Sequence, residues 1–272
     1  MRRCIIEFYT SLANIYSYIF SKKYFRFINE VFYNLSLKAK GYTNYGSLFL
    51  TGEKYFIKIL ANSNPCLCID IGANTGNFSK YLIKNTSSNI IAFEPLKKAF
   101  ADLKKIEKNY PTRFFAFNYG LSNKNKKSYI FFSDNKSEKA TFNINFDKVT
   151  FFSRKKIQKN IANLITLDSF YLKNKSLFKN GLNYIKIDSE GYEYQILAGA
   201  KKVLNIFKPK FIQIEMNQYN IYNNFNIYQF SKILLNYDAF IILPFNSGIK
   251  KINPVHADNN IFHLSNFIFI RR

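Results

Sequence analysis

Short apolar runs alternate with amphipathic stretches from about residue 65 to the end of the chain. Pro65 precedes the first run, and the runs that predict strands lie at 66–71, 89–93, 114–117, 184–187, 211–214, 240–243 and 261–270. Helical spacing of apolar residues predicts helices between them, at 96–108, 192–207 and 228–235. Strands that are apolar throughout and alternate with helices are typical of a mostly parallel sheet with helices on both faces. The pattern therefore predicts an α/β domain over residues 61–272.

The first 60 residues predict a helical extension, 1–60, before this domain. Ile5, Phe8, Leu12, Ile15 and Ile19 recur at helical spacing. This apolar stripe either packs on its own domain or lies in a membrane interface, assisted by the basic residues Arg2, Arg3, Lys22, Lys23 and Arg26. No segment approaches the ~20 apolar residues that a membrane-spanning helix needs. A membrane contact here would therefore be peripheral.

The stretch 124–160 differs from the rest because it is polar and rich in Lys, Asn and Ser. Its one apolar piece, 129–132, predicts a strand, which we expect to be antiparallel. The remainder is interpreted as a mobile segment, which as a lid would lie over the site.

Composition excludes some classes of protein and leaves others open. The 272 residues are 47% hydrophobic and 21% charged, which is typical of a globular chain. Forty Lys and Arg against 17 Asp and Glu give a net charge of +23, which ordinarily favours nucleic acid or anionic membrane as a partner. We discount this signal because Lys, Asn, Ile, Phe and Tyr, all with AT-rich codons, are over-used together, and because the basic residues are scattered.

Cysteine and histidine usage adds little chemistry. The three cysteines, Cys4, Cys66 and Cys68, form neither a disulfide framework nor a zinc motif, which indicates a reducing compartment and hence the cytoplasm. The two histidines are no indication of a metal site. We expect His263 to be structural on the last strand, whereas His256 lies in a loop from which it could reach the crevice at the strand ends.

The segment 70–78, with the sequence DIGANTGNF, joins the first predicted strand to a helix. Gly72 permits a tight turn there, and Gly76 lets the helix begin close to the sheet and to a ligand. Asn74 stands where a third glycine often stands and tolerates a left-handed backbone. The backbone N–H groups at such a helix start favour a carboxylate or phosphate. By itself this loop is equally consistent with an ordinary strand-to-helix turn.

Glu94 favours a ligand-binding loop over an ordinary turn, because it ends the next strand about twenty residues later and is followed by Pro95. A carboxylate at that place accepts both hydroxyl hydrogens of a ribose; the alternative is a surface Glu that caps the following helix. The chain lacks the G-K-[ST] of a nucleoside-triphosphate loop, and its G-x-x-x-G spacing departs from the dinucleotide pattern. A nucleoside cofactor without pyrophosphate fits better, and S-adenosylmethionine is the common one.

Further acids follow two later strands. Asp188, Glu190 and Glu193 come after the strand at 184–187, and Glu215 ends the strand at 211–214. Because ligands of such sheets bind outside the carboxyl ends of the strands, we expect these acids to face one crevice. There, an acid can take a proton from a substrate hydroxyl. For Glu193 the structural alternative, capping the next helix, is favoured; for Asp188 and Glu215 we favour function.

These residues together resemble the FkbM family of S-adenosylmethionine-dependent methyltransferases. Segment 70–78 looks like its glycine loop, 93–95 like its ribose-binding turn, and 185–200 like its signature K-x-D-x-E-G-x-E-x-x-x-L-x-G-A. The resemblance covers about residues 45–270. It implies a Rossmann-like class I methyltransferase fold, with a mostly parallel seven-stranded sheet whose last strand is antiparallel. It also implies methyl transfer, usually to a hydroxyl oxygen of a sugar or natural product.

We carry the family's functional sites over to the matching positions. Glu94 would hold the ribose, the loop from Gly72 to Gly76 the methionine moiety, and Asn118 or its neighbours the adenine. The full set of cofactor-binding candidates is Asp70, Gly72, Ala73, Asn74, Gly76, Phe78, Glu94, Pro95 and Asn118. The catalytic candidates are Asp188, Glu190 and Glu215. Where the family often has a His after E-G, this chain has Tyr192, and a neutral Tyr is a poor base near pH 7.

The sequence thus predicts an O-methyltransferase that acts on a small-molecule or lipid-linked sugar, of the kind used for surface polysaccharide. Enzymes that methylate base or amide nitrogens commonly carry a [DNS]-P-P-[YFW] turn after the fourth main strand, where this chain has 188–191, DSEG. That difference makes nucleic acid an unfavoured partner. Two alternatives stay open, an RNA methyltransferase and a non-catalytic module that retains the fold. We expect a cytoplasmic protein with, at most, peripheral contact with the inner membrane face.

Overall fold

The computed structural model describes residues 2–133, 136–143 and 157–272, with side chains described from residue 5 onward apart from those of 134–138. The strands are β1 (Leu67–Ile71), β2 (Asn89–Phe93), β3 (Phe114–Phe117), β4 (Gly120–Leu121), β5 (Lys126–Ser133), β6 (Lys136–Thr141), β7 (Ile157–Ile165), β8 (Tyr184–Ile187), β9 (Phe211–Met216), β10 (Tyr237–Ile242), β11 (Ile249–Lys251) and β12 (Ser265–Arg271). The helices are α1 (Arg2–Phe20), α2 (Arg26–Ala39), α3 (Glu53–Asn62), α4 (Asn77–Asn85), α5 (Lys97–Asn109), α6 (Leu167–Lys173), α7 (Glu193–Ala198), α8 (Lys201–Phe207), α9 (Tyr219–Asn223) and α10 (Ile227–Ile233).

The main sheet is mixed and has eight strands, in the order β11-β10-β12-β9-β8-β1-β2-β3. Strands β9, β8, β1, β2 and β3 are parallel neighbours, and β12 runs antiparallel to both β9 and β10. The predicted antiparallel last strand is therefore confirmed, but the predicted count of seven is wrong. The eighth strand, β11, pairs antiparallel with β10 at the sheet edge. It is only three residues long and carries two lysines, too short for its pattern to reveal a strand.

Helices cover both faces of this sheet, as predicted. Successive residues of a strand point to opposite faces, so β1 places Leu67, Ile69 and Ile71 in one apolar core and Cys68 in the other. The Cys68 side contains buried side chains of α3, α4 and α5, namely Phe56, Leu60, Leu82 and Leu103. The opposite side contains those of α6, α7, α8 and α10, namely Phe170, Leu197, Val203 and Phe230. The last helix of the predicted 1–60 extension, α3, thus packs into the body of the domain.

A second, four-stranded sheet, β4-β7-β5-β6, comes largely from the polar stretch 124–160. The predicted strand at 129–132 is confirmed as part of β5, which runs antiparallel to β7. Strands β6 and the start of β7 were missed because their residues are mostly polar and lack clear alternation. The predicted lid falls partly on residues 144–156, which lie outside the described residues.

The predicted helix at 192–207 is two helices, α7 and α8, separated at Gly199 and Ala200. A Cβ on Gly199 would lie 2.0 Å from the carbonyl oxygen of Ser122, so this backbone packs directly on the loop after β4. Asp168 fills the break: its N–H donates to the Gly199 carbonyl, and its carboxylate accepts the N–H groups of Lys202 and Val203. A tertiary contact rather than local pattern therefore ends α7.

Helices α1 and α2 contribute little to the two cores. Of their described side chains, only Leu37 is buried. The interpretation that the α1 stripe packs on its own domain is therefore wrong. None of the described helices has the length and apolar character needed to cross a bilayer.

Candidate functional site

The glycine loop after β1 is held against the ends of two neighbouring strands. The N–H groups of Gly72 and Ala73 both donate to the carbonyl oxygen of Phe93, at the end of β2. Gly72 has φ +79°, and a Cβ at this position would lie 1.8 Å from the carbonyl oxygen of Asp188, which follows β8. Only glycine fits such a close approach with this backbone conformation. The loop therefore brings the ends of β1, β2 and β8 together, as the sequence predicted.

The second glycine of the loop serves the fold more than a ligand. Gly76 has φ +80°, and a Cβ here would meet Ile106 Cδ1 at 2.3 Å and Leu103 Cδ2 at 2.8 Å, both on α5. It therefore permits α4 to begin against α5. Asn74, between the two glycines, adopts the predicted left-handed conformation with φ 48°.

Glu94 lies where the sequence placed it, at the end of β2, and its carboxylate is fixed from both sides. The Asn74 N–H donates to Oε2 at 2.9 Å, and the Leu96 N–H donates to Oε1 at 2.8 Å. A carboxylate has about four acceptor positions, so each oxygen can still accept a hydroxyl hydrogen. Burial raises the pKa of Glu94 to about 7, although the two N–H donors oppose that shift.

Glu94 opens into a first cavity of about 640 Å³, mouth included, at the carboxyl ends of the strands. The polar wall consists of the glycine loop, Glu94 and the segment 188–190, whereas the facing wall is apolar and includes Leu121, Ile130, Phe142 and Ile196. Strands β5 and β6 supply part of that apolar wall. One side of the cavity therefore suits hydroxyl groups and the other a flat apolar ring.

Asp188 lies at the border between this first cavity and a second one. Its Oδ2 accepts a hydrogen bond from Lys186 Nζ at 2.6 Å. Lys186 is 5% exposed and also lies 5.0 Å above the ring of Phe78. Burial opposes the charge of Lys186, but the carboxylates around it, Asp188 first and then Asp70, raise its pKa above the ordinary value. Lys186 therefore holds the carboxylate of Asp188 at a fixed point beside the glycine loop.

Glu190 follows two residues later in a left-handed conformation, with φ 49°. Its Oε2 accepts from Asn217 Nδ2 at 2.7 Å, and its carbonyl oxygen accepts from Thr141 Oγ1 at 2.6 Å. Burial and the nearby charge of Asp188 raise the pKa of Glu190. Its carboxyl therefore combines a fixed position with an increased affinity for protons.

Glu193 is structural, as the sequence favoured. It is fully buried, and its Oε1 accepts hydrogen bonds from the N–H groups of Ser189 and Gly191 and from the Ser189 hydroxyl. It thus shapes the turn that presents Asp188 and Glu190.

The second cavity, of about 880 Å³ with its open mouth included, lies on the α3 and α4 side of the glycine loop. It is lined by the four acids Glu53, Asp70, Asp188 and Glu215, together with Lys186. Burial, and after it the charge of Asp188, raises the pKa of Glu215 well above its ordinary value. All three catalytic candidates thus meet at the strand ends, with Asp188 shared between the two cavities.

Asp70 is 1% exposed and lines the second cavity behind the glycine loop. Its Oδ2 accepts from Ser79 Oγ at 2.6 Å, while Oδ1 has no hydrogen-bond partner among the residues that the structure describes. Burial raises its pKa. A buried oxygen without a donor is costly, so this wall is suited to a ligand that carries N–H groups or a positive charge.

Two groups that line the second cavity, Glu53 and Lys186, were given no role in the sequence analysis. Glu53, 6% exposed, accepts from Thr51 Oγ1 and Gln213 Nε2, and Gln213 also bonds Tyr184 and Asn266. Lys186 lies two residues before Asp188 on β8, and that spacing puts both on one face of the strand. The i, i+2 spacing was the signal that could have found Lys186; no local signal could have found the Glu53 network.

The remaining candidates are placed as follows. Asn118 Nδ2 donates to the carbonyl oxygens of Glu94 and Pro95, so it fixes their turn while its neighbours 119–121 line the first cavity. Tyr192 packs on Phe142 with ring centroids 5.5 Å apart. His256 is exposed and does not line the cavities described here.

A third cavity, of about 520 Å³, opens beside Glu190. Its lining includes Lys139, Glu190, Asn217, Tyr219 and His263. The Tyr219 side chain is 2% exposed, and its hydroxyl has no hydrogen-bond partner within the described part of the chain. His263 precedes β12, so the prediction that it lies on the last strand is wrong.

The first and second cavities together fit S-adenosylmethionine. The space that a Cβ on Gly72 would fill lets the cofactor approach the backbone closely. The two carboxylate oxygens of Glu94 match the two hydroxyl groups of a ribose. Asp70 Oδ1, which has no partner among the described residues, matches an ammonium group. The apolar wall of the first cavity matches an adenine ring.

Comparison with known proteins supports this fit. The family model described as the methyltransferase FkbM domain matches residues 70–240, which is more than half of the chain. No curated protein matches the sequence.

The solved structures that match this chain include three methyltransferases of low sequence identity. Methyltransferase FkbM from Methylobacillus flagellatus is 15% identical with a TM-score of 0.45, over 76% of this chain and 44% of that one. The O-methyltransferase from Bacillus cereus, solved in complex with SAH, is 12% identical with a TM-score of 0.47, over 98% and 100% of the two chains. An rRNA methylase from Streptococcus thermophilus is 9% identical with a TM-score of 0.40, over 80% and 94%.

Proposed function

The chain belongs to the FkbM methyltransferase family, whose members depend on S-adenosylmethionine, and from that premise we propose that it methylates a hydroxyl oxygen of a sugar or glycan precursor. The observation that carries the proposal is the position of Asp188. It lies at the border of two cavities, beside the glycine loop, with Glu190 and Glu215 close by. A negative charge at that point suits an acceptor that must lose a proton.

The cofactor supplies a methyl group on a positively charged sulfur, which makes the group easy to transfer. We assign the adenine to the apolar wall at 119–121, the ribose to Glu94, and the methionine moiety to the glycine loop and Asp70. The role of these residues is to fix the orientation of the reacting groups. Orientation of that kind lowers a barrier by about 7–11 kcal/mol.

We assign the acceptor to the third cavity, which shares Glu190 with the first cavity, where Asp188 also lies. Lys139, Asn217, Tyr219 and His263 give this cavity donors and acceptors suited to a molecule with many hydroxyl groups. Asp188 or Glu190 would accept the hydroxyl proton as the oxygen attacks. The raised pKa of Glu190 suits that task, because a base is most effective when its pKa lies near the working pH.

An oxygen acceptor is favoured over a nitrogen acceptor by the residues after β8. The turn 188–191 presents carboxylates and a glycine, and it lacks a planar amide with neighbouring prolines to hold an amine. An ionised carboxylate accepts hydrogen bonds and donates none, so it complements a hydroxyl donor.

The replacement Asp188→Asn tests this assignment. We expect methyl transfer to fall by roughly 10²–10⁴, while the Kd for S-adenosylmethionine changes only about threefold, because Asn keeps the size of the side chain. The assay follows labelled methyl transfer to a panel of nucleotide sugars, sugar phosphates and methyl glycosides, with total RNA as a competing acceptor. Asp258→Asn, an exposed acid at a distance from the site, is the matched control.

Three outcomes would contradict the proposal. Equal losses of affinity and turnover in Asp188→Asn would make Asp188 a binding residue only. Methyl transfer to RNA but not to sugars would favour an RNA methyltransferase. Absence of S-adenosylmethionine binding in calorimetry would indicate a non-catalytic module.

A further inference from the structure

The two N-terminal helices, α1 and α2, form a surface that we name the N-terminal helix pair (residues 2–39). They contact each other near their junction, where Tyr16 donates to Asn29 Oδ1 and the rings of Phe20 and Phe25 lie 5.0 Å apart. Leu37 anchors the pair to the domain because it is 4% exposed and belongs to the core of the α6 side. The rest of the pair projects from the domain with its side chains open to solvent.

Helix α1 exposes an apolar stripe that runs along most of its length. Ile5, Phe8, Leu12, Ile15 and Ile19, at helical spacing, are 43–71% exposed. Single exposed apolar residues are ordinary, but a contiguous apolar patch of this size marks an interaction surface. None of the described parts of the domain covers it.

Helix α2 has a second such stripe, which the sequence reading did not identify. Phe27, Ile28, Val31, Phe32 and Leu35 are 38–77% exposed. Their spacing of one, four, five and eight residues places them on one side of the helix. Leu37 lies on a different side and faces the domain. The anchoring of α2 therefore leaves its apolar side free for a partner.

The charge of the N-terminal segment distinguishes between a second copy of the chain and a lipid surface as the partner. Residues 1–40 contain the basic residues Arg2, Arg3, Lys22, Lys23, Arg26, Lys38 and Lys40 but only two acids, Glu7 and Glu30. A second copy of this chain would bring another strongly basic surface to the contact and would be repelled. An anionic lipid surface offers both an apolar interior and opposite charge. We propose that the N-terminal helix pair binds the surface of a membrane that contains anionic lipids, with its apolar stripes inserted at the headgroup level.

The N-terminal helix pair lies beside the third cavity. Tyr33 on α2 lies against His263, with ring centroids 6.4 Å apart, and His263 lines the third cavity. Tyr33 lies on the domain side of α2, so membrane binding would hold that cavity one helix diameter, ~10 Å, from the lipid surface. A lipid-linked acceptor is then within reach of it, a point that rests on the proposed function, whereas the lipid binding itself does not.

Vesicle co-sedimentation of the full-length chain tests the proposal. We expect binding to vesicles of phosphatidylcholine in which one third of the lipid is phosphatidylglycerol, and binding weaker by roughly tenfold or more to phosphatidylcholine alone. High salt should reduce the binding, because it screens the charges on the helix pair and the lipid.

Two matched pairs of variants separate apolar insertion from charge. Phe8→Ser with Ile15→Ser should abolish binding, whereas Leu235→Ser with Val255→Ser, which are 70% and 72% exposed elsewhere on the surface, should not change it. Neutralising Lys22, Lys23 and Arg26 to Gln should weaken binding by roughly tenfold or more. Neutralising the exposed Lys124, Lys126 and Lys127 removes the same formal charge and should have a much smaller effect.

The outcomes that overturn the proposal are distinct from a failure of methyl transfer. Equal binding of all variants would show that the net charge of the chain, not the helix pair, attracts lipid. A dimer that forms without vesicles and is lost in Phe8→Ser with Ile15→Ser would show that a second copy covers the stripes. A thermal shift with S-adenosylmethionine verifies that each variant is folded, and the charge variant remains an independent test if the serine variant is not.

Discussion

Gly72 decides how closely the ends of β1 and β8 approach each other. Its positive φ and its contact with the Asp188 carbonyl oxygen leave no space for a side chain. Glu94 depends on the same loop, because one of its two N–H donors comes from Asn74. At the scale of single residues, backbone geometry therefore positions both the cofactor cradle and the proposed base.

Replacing Gly72 with Ala should destabilise the protein by more than about 3 kcal/mol and abolish S-adenosylmethionine binding, because overlap with the Asp188 backbone adds to the strain of a positive φ. The control is Gly181→Ala. Gly181 has φ +93° but no described atom within 4 Å of its added Cβ, so it should cost only about 1–2 kcal/mol. Equal losses in urea unfolding of the two variants would show that conformation alone matters at Gly72.

The affinity for S-adenosylmethionine should fall as pH decreases below about 7. Glu94 has its pKa raised to about 7, and its protonated form accepts fewer hydroxyl hydrogens from the ribose we assign to it. We expect the Kd, measured by calorimetry between pH 8 and 5.5, to rise by up to about tenfold per pH unit below that pKa. Glu94→Gln should bind weakly at every pH and lose this dependence; a wild-type Kd that is flat with pH would refute the ribose assignment.

At the scale of elements, a side chain from another helix determines where one helix ends and the next begins. Asp168, in the first turn of α6, accepts the Lys202 and Val203 N–H groups at the start of α8. That contact ends one helix and begins another within a stretch whose apolar spacing is continuous. Glu193 fixes the conformation of the turn 188–191 in a similar way, because its carboxylate accepts N–H groups of that turn. Side chains that cap from a distance thus set the boundaries of elements around the site.

The replacement Asp168→Ala should lower the free energy of unfolding by about 1–2 kcal/mol, the usual loss when a helix cap is removed. Thermal unfolding followed by circular dichroism measures it. Asp102→Ala, on the outer side of α5, removes an acid that caps nothing and should have little effect. An equally small effect of Asp168→Ala would mean that α8 is held by packing alone.

At the scale of the whole molecule, acids from distant parts of the chain converge on one buried lysine. Lys186 lies among Glu53 from α3, Asp70 from β1, Asp188 after β8 and Glu215 from β9. These residues are spread over more than half of the sequence, yet they share the wall of one cavity. The charge of Lys186 therefore stabilises the assembly of the sheet as well as the site.

Replacing Lys186 with Met should destabilise the protein by about 3–5 kcal/mol, because it leaves buried carboxylates without their cation. The loss should be smaller at low pH. Carboxyl groups with raised folded-state pKa values bind protons more tightly than in the unfolded chain, so their contribution is present at low pH and decreases as pH rises through those values.

Urea unfolding at pH 5 and pH 8 checks this expectation. The exposed Lys210→Met serves as the control, since it removes a lysine outside the cluster. A loss from Lys186→Met that does not change with pH would show that packing rather than charge is responsible.

The sequence by itself determined the alternation of strands and helices, the glycine loop and the acids that end β2, β8 and β9. These features are local: apolar runs, glycine spacing and the residue that follows a strand can be read without knowing what lies across the sheet. The same locality explains the correct structural interpretation of Glu193. It also explains why the family resemblance could be stated from residues 70–78, 93–95 and 185–200.

Only the tertiary structure decided what depends on partners distant in sequence. Strand β11 exists because β10 pairs with it, and α7 ends because Gly199 meets Ser122 and Asp168. The role of Lys186 arises because four acids surround it, and the α1 stripe is exposed because the domain core is already filled from α3 onward. Apolar spacing predicts that a helix has an apolar side; it does not say whether that side meets the core or a partner, because burial is a property of the assembled fold.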